Sequence, residues 1–249
     1  MAAPRSEHAT PLPARAVSRE TRLQRFRHLP RLDPRIEILP TSQADVWNHL
    51  GDIPQTFVLY GGTGLALRLG HRSSADFDFF SPTPFVPTDL VHELAALRPV
   101  SINEASPNHL VVTTSNDVRL SFLGGLGLQA VAECSVVEEN GLVIASLFDL
   151  AGTQAKAILD RSEWKDYVDI AALVRHGLTL GQVIGYASTI FAPIFEFPTA
   201  VFLRSIAWFG DGTADEVPAD VQDELERAAV AALHEGIPYV MPYAPTIEP

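Results

Sequence analysis

Hydrophobic spacing divides the chain into two unlike halves. Up to about Ala145 the apolar residues come in short β-rich runs and alternations. Thr56 to Tyr60, the acid–aromatic alternation Asp76 to Phe80, and His109 to Thr114 with Val118 to Leu123 all predict strands. The last two flank Ser115-Asn116-Asp117 and predict a hairpin. A further pair is expected around Ala130 to Val137 and Leu142 to Ala145. Between these runs, Thr41 or Ser42 can cap a helix through Leu50, and Gly61-Gly62-Thr63 turns strand into a helix ending near Gly70. Pro87 opens a third helix with Leu90, Leu94 and Leu97 on one face. From Ser146 the period is helical throughout: Leu147 to Leu159, Glu163 to Val174, Leu180 to Ala192, Thr199 to Phe209 and Val221 to His234. Mixed strands and helices followed by helices alone predict an α+β fold, a mixed sheet with helices and then a helical C-terminal half. Ahead of Thr41 the prolines, Pro4, Pro11, Pro13 and those from Pro30 to Pro40, predict a tail or extended strap with a short helix over Val17 to His28. The expected division is an Arg/Pro-rich arm (1–40), an α+β domain (41–145) and a helical domain (146–249).

Composition narrows the class. The 249 residues are 47% hydrophobic and 19% charged, with one cysteine, Cys134, which excludes a disordered chain and a disulfide scaffold. The first 35 residues hold eight arginines and no long apolar stretch, unlike a secretory signal, and a cytoplasmic location is expected. Val183 to Leu203 contains a single charge, Glu196, but Pro193 and Pro198 bracket it, which predicts two buried helices meeting at a bend rather than a membrane span. Net charge is −12 although the arm is basic. An acidic body is a poor general surface for phosphates, so a nucleic-acid partner must meet a local basic patch or the arm.

The candidate chemistry lies in Gly61-Gly62-Thr63 and Asp76-Phe77-Asp78. Two glycines between strand and helix let a backbone approach phosphate closely. The N–H groups opening the helix, with the Thr63 hydroxyl, can then hold a triphosphate. Asp76 and Asp78, two apart on a strand, share a face where they can hold Mg²⁺, while Phe77 and Phe79 point to the core. Arg72 can touch phosphates or neutralise the two aspartates, and His71 reads as structural. Gly125-Leu126-Gly127-Leu128-Gln129-Ala130 matches a dinucleotide-binding turn, but the segment after it reads as strand rather than helix.

These residues resemble the nucleotidyltransferase superfamily that includes DNA polymerase beta. More narrowly, the run from Gly61 to Phe80 is similar to the AbiEii/AbiGii toxin group of toxin–antitoxin and phage-defence systems. The likeness continues through Asp149 to Arg161 and Lys165-Asp166-Tyr167-Val168-Asp169-Ile170, and Phe202 to Phe209 fits the helix that follows. It implies a nucleotidyltransferase-like fold and transfer of a nucleotidyl group from a nucleoside triphosphate to a hydroxyl of RNA, tRNA included, or of protein. It also implies Mg²⁺ on Asp76 and Asp78, and phosphates held by Gly61, Gly62, Thr63, Arg72, Lys156 and Lys165. Lys156 would reach the nucleotide, Asp166 would orient the attacking hydroxyl or the lysine, and a cognate antitoxin would be the partner. Lys156 and Lys165 are the only lysines of the chain, which sets them apart from its arginines. Both also stand four residues before an acid, Asp160 and Asp169, as surface ion pairs do.

One position departs from the polymerase pattern. A third carboxylate from the neighbouring strand is usual, whereas Val118 to Phe122 offers Ser121 or Arg119, with Asp117 in the presumed turn. Three readings follow: a two-carboxylate site with a weaker second metal, an acid supplied by Asp166, or a degenerate nucleotide-binding or partner-binding regulatory module without transfer.

Overall fold

A computed structural model describes residues 19–97 and 99–244. In chain order the helices are α1 (Arg19–Arg25), α2 (Thr41–Leu50), α3 (Gly61–Leu69), α4 (Pro87–Glu93), α5 (Leu147–Arg161), α6 (Trp164–Arg175), α7 (Leu180–Phe191), α8 (Thr199–Ile206) and α9 (Ala219–Glu235). The strands are β1 (Arg31–Leu32), β2 (Val58–Tyr60), β3 (Asp76–Phe80), β4 (Val100–Ser106), β5 (His109–Thr114), β6 (Arg119–Leu123), β7 (Ser135–Val137) and β8 (Val143–Ile144). They form one mixed sheet in the order β1-β7-β8-β2-β3-β6-β5-β4.

The pleat of β3 sorts the two faces. Phe77 and Phe79 are fully buried and join Trp47, Leu50, Leu90, Leu94, Leu97, Leu120 and Phe122 in a core under α2 and α4. Asp76, Asp78 and Phe80 alternate with them onto the opposite face, where Val58 and Tyr60 of β2 also project. That face meets the helical half, whose core gathers Leu150, Ala155, Ile158, Tyr167, Ile170, Ile184 and Phe202 from α5 to α8, together with Leu65 of α3. The sheet thus lies between two hydrophobic clusters, and the aspartates stand at its junction with the helices.

The expected α+β fold with a helical second half is present. Several local expectations are corrected. The strap assigned to the arm is part of the fold: β1 pairs parallel with β7, and the Arg35 N–H donates to the Leu67 carbonyl, so regular structure begins before Thr41. Residues 1–18 of that arm lie outside the described residues. Strand β4, which pairs with β5 across a bulge at Ile102/Glu104, has no alternation to betray it, because six of its seven residues are exposed. Helix α2 begins at Thr41 behind Pro40, without the expected side-chain cap. The Gly125 segment leads into irregular backbone, not a helix, which removes the dinucleotide-binding turn. Across the apolar run from Val183 to Leu203, α7 ends at Phe191 and α8 begins at Thr199, and no helix among the described residues is long and apolar enough to cross a membrane.

Candidate active site

The site is built where β2 passes into α3. Gly61 has φ +67°, and a Cβ on it would stand 2.5 Å from Asp78 Oδ2. Both facts require glycine: the left-handed backbone disfavours a side chain, and the carboxylate occupies the space one would take. Tyr60 gives the helix no side-chain cap, so the first-turn N–H groups of α3, which have no carbonyl four residues back, open beside Asp78.

Register places the second wall. In the parallel pair β3/β6, Asp76 lies opposite Arg119 and Asp78 opposite Ser121. Asp78 is largely buried, and its carboxyl is pushed up first by that burial and then by the charge of Asp76. A hydrogen bond with Ser121 and the charges of Arg161 and Arg119 act the other way. Two carboxylates on one face, one of them short of solvent, form a donor set that a divalent cation relieves. Among the described residues no group of three or more His, Cys, Asp or Glu side chains is arranged for a metal. Mg²⁺ fits such a pair because it commonly takes one or two protein carboxylates and completes its shell with phosphate oxygens and water. Ser121 stands in the strand position where a third carboxylate was sought.

The other expected residues are placed differently. The Thr63 hydroxyl is hydrogen-bonded to the Asp76 carbonyl and, at 2.7 Å, to Ser74 Oγ, which ties α3 to β3 and takes that hydroxyl away from a phosphate. Arg72 neither neutralises Asp76 and Asp78 nor stands free. Its Nε and Nη2 donate to the two oxygens of Asp169 at 2.5 and 2.7 Å, and its Nη1 donates to the Ser73 carbonyl. Asp169 is fully buried and also holds His71 Nε2, at 2.8 Å, and the Gln154 amide. This cluster backs onto Gly62, where a Cβ would collide with the Arg72 guanidinium and lie 3.2 Å from Asp169 Oδ2. The surface pair of Lys165 with Asp169 does not form, since Lys165 bonds Glu163 at 2.8 Å. Lys156 does pair with Asp160 and lies 5.7 Å above the Phe195 ring. Asp166 is fully buried, with Arg161 Nε and Nη2 on its oxygens at 2.9 and 2.7 Å.

Sequence reasoning therefore missed the partners that matter to these groups: Asp169 and Gln154 behind the glycine turn, and Arg161 in front of Asp166. No local signal gives Arg72 and Asp169, which are 97 residues apart. Arg161 and Asp166 are close in sequence, but a left-handed Ser162 (φ 49°) separates their helices, so helical spacing does not suggest the pair.

Comparison with known proteins agrees with this architecture. Residues 48–113 match the family described as nucleotidyl transferase AbiEii toxin, type IV toxin–antitoxin system, a match that includes the glycine turn and both aspartates and stops short of the helical half. An uncharacterized protein of Aquifex aeolicus is 29% identical over 174 residues, 69% of this chain and 82% of its own. A crystal structure of a candidate nucleotidyltransferase from H. pylori superimposes with a TM-score of 0.51 at 16% identity, covering 78% of this chain and 94% of that one. MenT4, a nucleotidyltransferase toxin from Mycobacterium tuberculosis, is 13% identical with a TM-score of 0.40, over 89% of this chain and all of its own. The likeness read from Gly61 to Phe80 is borne out, and the fold is that of a nucleotidyltransferase.

Proposed function

Starting from the match of residues 48–113 to the AbiEii nucleotidyltransferase toxin family, we propose that the protein is a Mg²⁺-dependent enzyme moving a nucleotidyl group from a nucleoside triphosphate to a hydroxyl of RNA, a tRNA end included, or of protein. The observation that carries this is the close approach of Gly61 to Asp78. It brings a phosphate-binding helix start and a carboxylate pair together, which is the layout in-line transfer requires. The triphosphate lies along the N–H groups opening α3, while Gly61 and Gly62 make room for the Asp78 carboxylate and the Arg72 guanidinium. Asp76 and Asp78 would hold Mg²⁺, which when bound would supply positive charge to offset that of the phosphates. The acceptor hydroxyl oxygen attacks the α-phosphorus, the bond to the bridging oxygen breaks, and pyrophosphate leaves. The hydroxyl proton passes to solvent, because Asp166 has both oxygens on Arg161 and is closed to substrate. Lys156 gives one N–H donor to Asp160 and keeps two for the nucleotide. As in the family's systems, a cognate antitoxin is the expected partner.

Ser121 opposite Asp78 favours a second reading, a nucleotide-binding regulatory module that lacks transfer. One experiment separates them. The purified chain is incubated with cellular RNA, Mg²⁺ and each α-labelled nucleoside triphosphate in turn, beside Asp76→Asn/Asp78→Asn. Label entering RNA or protein only with the intact chain supports the transferase; nucleotide binding without label anywhere supports the module. Transfer that persists fully in the double variant with saturating metal overturns the assignment of the carboxylates.

A further inference from the structure

The proposed reaction brings a triphosphate into an acidic site, and the cations expected to meet it are mostly engaged elsewhere. Arg72 is bound to Asp169, Lys165 to Glu163 and Lys156 to Asp160. Arg119, at the edge of β6, faces Glu104 at 3.9 Å. Arg161 has Glu163 Oε2 3.9 Å from its Nε, but differs from the others in having a fully buried partner and an exposed side chain. Two of its nitrogens are fixed by Asp166, a carboxylate with no exposure, yet its own side chain is 45% exposed. A guanidinium has five N–H donors in a rigid fork, so a carboxylate that takes one from Nε and one from Nη2 leaves Nη1 and the outer Nη2 hydrogen for a ligand. Asp166 stands one turn before Asp169 on α6, and Asp169 backs onto Gly62, so the Asp166–Arg161 pair lies about one helical turn from the glycine turn; the charges of Arg161 and Asp78 also act on each other.

We propose that Arg161 is a triphosphate-binding residue contributed by the helical half, and that Asp166 is the positioning residue that aims it. This inference rests on the nucleotidyltransferase reading and adds to it the arm of the site opposite the α3 N-terminus. Arg161 binds the non-transferred phosphates, so its contribution grows with phosphate number and is insensitive to the base. A purely structural ion pair would show no such dependence.

The test is calorimetric titration of the full chain with Mg²⁺ and each of ATP, CTP, GTP and UTP, and then with the monophosphate of whichever base binds. Arg161→Gln is expected to weaken the triphosphate about 10- to 100-fold, the range for a charge-assisted hydrogen bond, and the monophosphate less than about threefold. Arg161→Lys recovers part of the affinity by restoring the charge without the fork. Because Arg161→Gln leaves Asp166 buried without its partner, Arg161→Gln/Asp166→Asn is titrated beside it, removing both charges together. Asp166→Asn alone weakens the triphosphate more than the monophosphate, with Arg161 present but no longer aimed. If the folded double variant binds triphosphate as tightly as the parent, or loses mono- and triphosphate equally, the role of Arg161 is overturned while the functional reading stands. If the parent chain binds none of the four triphosphates, both fall together.

Discussion

Replacing Asp169 by alanine tests the cluster behind the glycine turn. The carboxylate has no solvent exposure and four side-chain hydrogen bonds: two from Arg72, one shared with His71 and one from Gln154. Its loss leaves the Arg72 side chain, 12% exposed, without a counter-charge, and the Gln154 amide without an acceptor. Removing one partner of a buried ion pair costs about 3–5 kcal/mol, because the remaining charge is stranded out of water. For a chain of this size each kcal/mol lowers Tm by roughly 2–4 °C, so Asp169→Ala should lower Tm by roughly 6–20 °C, measured by circular dichroism. The double variant Asp169→Leu/Arg72→Met removes both charges and should recover much of that loss, giving a coupling well beyond additivity. A Tm drop below about 3 °C for Asp169→Ala, or a double variant no more stable than the sum of its singles, would refute the argument that this pair is closed to water.

Asp78→Asn should stabilise the metal-free protein. The native carboxyl is held above its ordinary value by burial and by Asp76, so it favours the protonated form, and its ionisation subtracts stability as pH rises through that raised value. The gain should be absent in acid, appear above the ordinary carboxylate range and be largest at the highest pH, as followed by urea unfolding across pH. Added Mg²⁺ should raise the Tm of the parent in the same pH range and have little effect on Asp76→Asn/Asp78→Asn; equal shifts would locate the ion elsewhere. Gly61→Ala combines a disfavoured φ with a Cβ against Asp78 and should cost about 1–3 kcal/mol, whereas Ala66→Gly in the middle of the same helix should cost about 1 kcal/mol; equal urea midpoints would deny Gly61 its special conformation. Burial pushes the Cys134 thiol up to about 11, so it should react with a disulfide reagent at pH 8 far more slowly in the folded chain than in urea.

How legible each part was depended on whether its cause was local. Helices of the second half were visible to within a few residues because one apolar face repeats along each. β3 was visible because its alternation of acid and aromatic reports two different faces directly. β1 and β4 were not: the first is two residues long and lies within the strap, and the second is an edge strand with almost no buried side chain to set a period. The glycine turn and the two aspartates were likewise readable, since their spacing carries their geometry with it.

The cations were not, for a physical reason. A positive side chain beside an acidic site is available to a ligand only if no buried carboxylate already claims it fully, and such carboxylates come from elsewhere in the chain. The rarity of Lys156 and Lys165 drew attention to them as phosphate ligands, yet both are paired with acids within four residues. Arg72, adjacent in sequence to the glycine turn and the aspartates, is held by an acid of α6. Arg72 gives three of its N–H donors to protein partners, whereas each lysine is paired at the surface and its ammonium keeps two donors. Arg161 is also claimed by a buried acid, but on one edge only, with Glu163 no nearer than 3.9 Å to its Nε and almost half its side chain in solvent. What separates a structural arginine from a ligand-binding one at this site is therefore the number of donors left unclaimed, a property of the folded arrangement of α5, α6 and β3 that spacing along the chain does not encode.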